Sequence, residues 1–504
     1  MCNSKSVKCS IICAALGIIF IILGGILIPV FHNYIKKEIE QQISLKDGSD
    51  TFNTWKDPPI PIYFQIWVFD LMNPIEVVKN GAKPALRQKG PYTYREHRQK
   101  QDFSWDNDLG TISYREKRSF TFELDKSVGP ESDTFTTVNL PMITVVELVR
   151  REFGFIQEIV NIILSLANDS ELFLTLSIKD ILWGYEDNLL KTVKELAQKF
   201  HINMTLDDHF GLFYNQNGSD DGLYNIFSGV KGSSNFGMIH TWNSISVLPY
   251  WTTPTCNEIN GTDGTIFPPF VEKSDKKYLF STDICRSIYV TFDSEVKLRG
   301  IDLLRFTAPP DVFLDHLKNP DNDGFCTPAG VCLPSGLLNV SSCKQGAPVV
   351  MSLPHFLYAD PVIQDAVYGL TPSVEEHQTV LDIESNTGVV MNAQKKLQVN
   401  AYIRNVSHIS QTLQIKDHIV YPVLWLNESA TIDDKSANDF KSAVQTPIFI
   451  TEAVQYGLMV LGILFIIGAL SWFLRVRHTQ KKEEDQLVNV DENKDTAHLV
   501  VNHS

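Results

Sequence analysis

Two uncharged apolar runs, one near each end, decide most of what this chain can become. Residues 9–31, "CSIICAALGIIFIILGGILIPVF", and residues 453–474, "AVQYGLMVLGILFIIGALSWFL", carry no acidic or basic side chain. Crossing a hydrocarbon core takes about 20 helical residues, and in lipid a helix satisfies every backbone group of such a segment. A cleaved signal peptide would have a shorter apolar stretch followed by a small-x-small site. Here Phe31, His32, Asn33 and Tyr34 make a membrane exit instead. The first run is therefore read as an uncleaved transmembrane anchor and the second as a transmembrane helix.

Two spans put both termini on one side and residues 32–452 on the other. Arg475, Arg477, Lys481 and Lys482 follow the second span, and Lys5 and Lys8 precede the first. Positive charge marks the cytoplasmic side, so 1–8 reads as a cytoplasmic arm and 475–504 as a cytoplasmic tail. Lys36 and Lys37 stand on the opposite side, followed by Glu38 and Glu40. Seven glycosylation sequons, at Asn168, Asn203, Asn217, Asn260, Asn339, Asn405 and Asn427, lie between the spans, as a lumenal or extracellular domain requires. Asn502 also begins a sequon, but in the tail. Of the formal net charge of −15, about −16 falls between the spans, which argues against nucleic acid or an anionic membrane surface as partner.

The same topology sets the cysteine chemistry. Cys256, Cys285, Cys326, Cys332 and Cys343 lie in the oxidising compartment, where disulfides are the default over zinc or redox roles. Cys2, Cys9 and Cys13 are at the cytoplasmic boundary, where S-palmitoylation is one fate and a free thiol the other.

Between the spans, stretches of period two rich in β-branched and aromatic residues read as antiparallel strands. Examples are 60–71, 286–298 and 395–406. From Thr144 to Phe200 the period changes. Glu147, Arg150, Arg151, Gly154, Glu158, Asn161 and Ser165 form a polar stripe. Val145, Leu148, Val149, Ile156, Ile159, Val160, Ile163 and Leu166 form the opposite apolar face. Phe153, Phe155, Ile162 and Leu164 widen that face beyond one core contact, so part of it packs in a bundle or meets a partner or lipid. "SIKDILWGYEDNLLKTVKELAQKF" continues helically from a capping-box-like Ser177 and Asp180. The helical insertion spans about 141–205.

The signatures of common enzymes are absent: the chain has no G-x-S-x-G elbow, H-E-x-x-H or Walker-type loop. Asn319, Asp321, Asp323 and Gly324 begin like a calcium loop, but the twelfth position is Gly330, not Glu. It reads as a polar turn, and Glu375 and Glu376 as solvated loop residues. No catalytic residue, metal ligand or cofactor is expected.

Six stretches together resemble the class B scavenger receptor family: "GPYTYRE" (90–96), "ILWGYED" (181–187), "CNEINGTDG" (256–264), "DICRSIYVTF" (283–292), "GAPVVMSLPHF" (346–356) and "YPVLWLNES" (421–429). The resemblance spans nearly the whole chain. It implies an α+β membrane protein with a lumenal antiparallel β-barrel-like core, an apical helical bundle, an internal lipid tunnel and two transmembrane helices as anchors. The stretch "GFCTPAGVC" is closest to the type 2 lysosomal integral membrane protein branch, since the fatty acid translocase has Cys-Phe-Cys where Gly324, Phe325 and Cys326 stand. That branch implies bridges Cys326–Cys332 and Cys285–Cys343, each worth roughly 2–4 kcal/mol, with Cys256 unpaired.

In the lysosomal branch the apical helix binds lysosomal acid β-glucosidase and carries it to lysosomes. The corresponding helix here is Thr144 to Leu166, with Val149, Glu152, Phe153, Ile156, Ile159 and Val160 as contact candidates. Glu152 stands where that branch has a histidine associated with acid sensing. Asp169 stands where the fatty acid translocase has a ligand-associated lysine. In the tail, Glu483 precedes Leu487 and Val488, and Asp495 precedes Leu499 and Val500. Both resemble acidic dileucine signals read by clathrin adaptors, with Val replacing the usual second Leu or Ile.

The expected protein is thus a lysosomal and late-endosomal receptor for a lumenal enzyme, also passing cholesterol or phospholipid, with some copies at the plasma membrane. A homodimer is compatible with it. The rival expectation is a cell-surface receptor for lipoproteins or fatty acids, and the third a lumenal enzyme.

Overall fold

The computed structural model describes residues 3–167, 170–199, 207–415 and 418–501. Asn168, Asn203, Asn502, Asp169 and Cys2 lie outside them, as do the side chains of Leu487, Val488, Asp495, Leu499 and Val500. Residues 1–39 with 437–504 form one unit and residues 40–436 the other.

The first unit is built on two helices, α1 (Asn3–Ile43) and α6 (Thr446–Val501). Among the described residues they are the two long and apolar enough to cross a bilayer. Both run well past the predicted spans, α1 continuing helically through the expected exit at Phe31. Small residues let them approach closely: the Ser10 hydroxyl donates to the Ala469 carbonyl at 2.7 Å. A Cβ on Gly17 would stand 2.7 Å from the Gly462 carbonyl oxygen.

The second unit is organised around one antiparallel sheet of 13 strands among the described residues. Its main strands are β1 (Ile62–Leu71), β2 (Leu86–Asp106), β3 (Thr111–Phe122), β4 (Ser219–Phe227), β5 (Ile239–Trp242), β6 (Lys276–Ser281), β7 (Arg286–Leu298), β8 (Ile301–Thr307), β9 (Val380–Ile383), β10 (Val390–Arg404) and β11 (His418–Thr431). They lie in the order β6-β7-β8-β9-β10-β11-β1-β2-β3-β4-β5. Strand β1 pairs with both β2 and β11, Ile66 facing Tyr92 on one side and Leu426 on the other. The short strand Val349–Ser352 adds to β10.

The path has two end strands, β5 and β6, and the "CNEINGTDG" motif joins them. The Ile239 N–H donates to the Gly261 carbonyl at 2.8 Å. On the other side the Thr262 N–H donates to the Tyr278 carbonyl (3.2 Å), and the Phe280 N–H to the Thr262 carbonyl (2.9 Å). Closure removes the exposed edges an open sheet would present. Gly261 has φ +85°, and a Cβ there would lie 1.9 Å from the Tyr278 carbonyl oxygen.

Alternation along β2 puts Tyr92, Tyr94, Glu96, Arg98 and Lys100 on one face. Arg98 bonds Glu96 at 2.8 Å, pairs with Glu116 at 3.4 Å and also pairs with Glu428. Lys100 reaches Glu116 at 2.6 Å, and Lys395 pairs with Asp283. Burial, with the Glu428 charge adding to it, pushes the Glu96 carboxyl up to about 7. Against its own burial, Lys100 and Arg98 hold Glu116 down to about 2. A second buried pair, His355 and His377, stacks with ring centroids 4.3 Å apart. Burial, and then the neighbouring His377, pull His355 down to about 3.

The insertion departs from the continuous helices expected. Its expected contact helix, 144–166, is two: α2 (Leu140–Val149) and α3 (Gly154–Leu166). The region also holds a strand, Phe173–Ser177, paired with Thr134–Val138. The second helical stretch is likewise broken. Ser177 caps α4 (Ile178–Trp183), its hydroxyl accepting from the Asp180 N–H. Gly184, at φ +116°, ends α4, and Tyr185–Glu186 pairs with His209–Phe210 before α5 (Asn188–Lys199).

Gly261→Ala is expected to lower unfolding stability by at least about 2 kcal/mol through strain and backbone overlap, as measured by denaturant unfolding. Glu96 binds its proton more tightly folded than unfolded, so its stabilising contribution is full below the ordinary carboxyl range and is lost as pH rises through 7. His355 acts oppositely: its contribution is full above the ordinary imidazole range and is lost as pH falls toward 3. Glu96→Gln should therefore unfold at a higher temperature than the parent at about pH 8, the gap closing by about pH 4.5, in a pH series of thermal midpoints.

Candidate functional site

Helix α3 leaves part of its apolar surface uncovered. Its polar residues dock it on the body: Glu158 Oε1 lies 2.8 Å from His408 Nδ1, and Asn161 Oδ1 accepts from the Ser410 N–H and hydroxyl, each at 3.0 Å. The helix buries Gln157 and Leu164. Its outward side carries Phe155, Ile159, Ile162 and Leu166, 52–77% exposed and spaced by four, three and four, so they form one stripe. Phe153 leads into it at 74% exposed and stacks with Phe155, centroids 6.1 Å apart.

The break between α2 and α3 is held by one side chain. Gln157 Nε2 lies 3.3, 3.0 and 3.2 Å from the carbonyl oxygens of Val149, Arg150 and Glu152. The Val149 carbonyl also accepts from the Glu152 N–H at 3.0 Å, so the Gln157 amide chiefly serves the Arg150 and Glu152 carbonyls just past the α2 C-terminus. Glu147 fixes α2 to the sheet, accepting from Arg404 at 2.6 Å and from Arg150 at 3.1 Å. Gly154 leaves room for the His408 ring, whose Nε2 would be 3.1 Å from a Cβ there.

The structure exposes three of the six contact candidates, Glu152, Phe153 and Ile159, and half-buries Val149, Ile156 and Val160. Phe155, Ile162 and Leu166, outside that set, complete the outward stripe. The predicted faces do not map onto an inner and an outer side: Arg151, Glu158 and Ser165 of the polar stripe are exposed, while Ile156, Val160 and Ile163 of the apolar face are half-buried. Gln157 and His408 were not singled out; nothing local in the sequence marks a glutamine that caps a preceding helix.

The bridges are Cys285–Cys343 and Cys326–Cys332, and Cys256 is a buried free thiol. A Cβ on Gly324 would lie 2.6 Å from Cys256 Sγ, so the glycine stands where a third bridge would close. Asn319 caps the 3-10 turn Pro320–Phe325, its side chain accepting from the Asp321 N–H. Glu375 and Glu376 are exposed in the one-turn helix Val374–His377. Of the described sequons, Asn217 and Asn405 are exposed, Asn260 and Asn339 half-buried, and Asn427 is enclosed in β11, its amide donating to Gln65 at 3.1 Å. Three cavities in the large unit measure about 10, 30 and 40 Å³; drug-sized ligands occupy roughly 300–1,000 Å³.

The family model described as the CD36 family matches residues 15–473. This chain belongs to the CD36 family. Lysosome membrane protein 2 of Mus musculus is 38% identical over 438 residues, 86% of this chain and 88% of that protein. The Homo sapiens protein of the same name matches with the same identity and coverage. Scavenger receptor class B member 1 of Cricetulus griseus is 36% identical over 460 residues, 91% of this chain and 88% of the relative. The closed sheet, the two terminal helices and the exposed α3 face are therefore features of a CD36-family membrane receptor.

Gln157→Ala is expected to destabilise the 149–157 region by about 1–3 kcal/mol, since it strands carbonyls that are partly buried; local amide exchange would show it as faster exchange there. Gly324→Cys is expected to consume the Cys256 thiol. A disulfide needs about 3.5–4.5 Å between Cβ atoms and a Cβ at 324 would be 2.9 Å from that of Cys256, so a slight shift suffices. Thiol titration of the unfolded protein counts the remaining sulfhydryls.

Proposed function

We propose that the chain is an endosomal and lysosomal membrane receptor whose apical stripe, Phe153, Phe155, Ile159, Ile162 and Leu166, binds a lumenal enzyme of the acid β-glucosidase kind for delivery to lysosomes. Both termini face the cytoplasm, and tail signals at Glu483, Leu487, Val488 and at Asp495, Leu499, Val500 recruit clathrin adaptors. The carrying observation is the exposed apolar stripe of α3, on a helix held in place by Leu164 and by bonds from Glu158 and Asn161. Apolar area gains about 25 cal/mol per Å² when covered, so such a face favours a protein partner. The identity to proteins named for the lysosome membrane supports the compartment. Passage of cholesterol or phospholipid through the interior belongs to the same proposal and needs a path wider than the cavities described above. The role is that of a receptor, not an enzyme.

The alternative is a surface receptor for lipoproteins or fatty acids, favoured by the match to scavenger receptor class B member 1.

A pull-down with the glycosylated full-length protein, offering acid β-glucosidase and high-density lipoprotein at neutral and at lysosomal pH, separates the two. Glucosidase capture at neutral pH, reduced at least about tenfold by Phe155→Asp or Ile159→Asp, is the expected result. Both side chains are exposed, so neither variant should lower the unfolding midpoint. Lipoprotein capture without glucosidase capture would establish the alternative. Glu152 and His408 are the groups to vary if release at acid pH is seen, since His408 contacts Glu158 of α3.

A further inference from the structure

The cysteine-rich segment 324–343 walls a pocket that the receptor role does not use. Arg286, the first residue of β7, is 5% exposed. Its Nε donates to the Ser287 carbonyl and its Nη1 to the Val312 carbonyl, each at 3.2 Å. The guanidinium lies over Phe325, 3.5 Å from the ring centroid. Among the described residues, no carboxylate pairs with it within 4.0 Å. Burial pulls its pKa down to about 9, against the nearby Cys256 and Tyr289, which act in the other direction. A largely buried cation without a carboxylate partner is an unfavourable arrangement in a protein interior.

Arg286 lines a cavity of about 30 Å³ together with His316, Asp315, Asn322, Cys332 and Asn339. His316 Nδ1 is buried and has no partner, and it lies close to the Cys326–Cys332 bridge. The other polar groups are spent. Asp315 accepts from the Ser335 hydroxyl (2.6 Å) and the Leu317 N–H (3.0 Å), and pairs with Lys318 (3.2 Å). The Asn322 amide donates to the Asp311 and Leu314 carbonyls, and the Asn339 amide to that of Thr327. What remains facing the cavity is the free edge of one guanidinium and one imidazole nitrogen, which donates in its Nδ1–H tautomer.

We propose that this pocket binds one small monoatomic anion, a halide, between Arg286 and His316 beneath the Cys326–Cys332 loop. The cavity is small, about 30 Å³, which suits a compact monoatomic anion. A water alone would hydrogen-bond the guanidinium edge but leave its charge uncompensated. An anion there compensates the charge and gives His316 Nδ1 a partner, tying the disulfide loop to the start of β7.

The test uses the full-length protein in detergent, exchanged into sodium gluconate and titrated with sodium chloride at constant ionic strength. A saturable rise in thermal midpoint with chloride is expected. His316→Ala should weaken the apparent chloride affinity about tenfold or more while unfolding near the parent's midpoint in gluconate. Arg286→Gln, if it folds, should abolish the response. In crystals grown with bromide, anomalous density should lie between Arg286 and His316. Equal midpoints in chloride and gluconate, an unchanged response in His316→Ala, or bromide bound only elsewhere would each overturn the proposal.

Discussion

The fold rests on three backbone hydrogen bonds around Gly261 and Thr262. A sheet with free ends leaves a row of unpaired N–H and C=O groups on each end strand. Here the segment between β5 and β6 supplies one carbonyl to β5 and one N–H and one carbonyl to β6. The approach to Tyr278 is too close for any side chain, so a glycine is demanded by geometry at that point. Once the sheet is closed, one face of each strand is enclosed, and every charged residue on that face must find a partner within it.

The Arg98 cluster is the consequence. Glu96, Arg98 and Lys100 occupy the same face of β2 because their spacing is two, and closure brings Glu116 of β3, Glu428 of β11 and Lys395 of β10 against them. Such an ensemble is weak evidence for stability, since desolvation offsets much of the Coulomb attraction. Its clearer effect is on what the interior admits. A face bearing this many ions favours water over hydrocarbon.

The amino-acid sequence made the spans, the strands and the presence of a helical insertion legible because each depends on a short periodicity. Absence of charge over a span's length is a local property, and so is the alternation of "RSIYVTFDSEVKL", which forms β7 over the same residues as predicted. The break in the first helix of that insertion was not legible. Its cause is Gln157 reaching back to three carbonyls, and a glutamine is an ordinary helix residue in any local window. Gly154 was assigned to a polar stripe, whereas it begins a new helix beneath His408. The partners that hold α3, His408 and Ser410, are some 250 positions away in sequence, beyond any pattern that periodicity can detect. The disulfide pairing came from family resemblance, since four of five cysteines can be joined in two bridges in many ways.

The seating of α3 has a physical consequence for its exposed stripe. A helix seated by its apolar side is held by burial, and its exposed side is then polar and well solvated. Helix α3 is held by the burial of Leu164 and by a few directional bonds, each bond worth net about 0.5–1.5 kcal/mol, and its stripe from Phe155 to Leu166 stays exposed. Glu147 to Arg404, Glu158 to His408 and Asn161 to Ser410 fix where α2 and α3 lie without consuming the stripe. Binding energy at the stripe therefore does not compete with the energy that positions it.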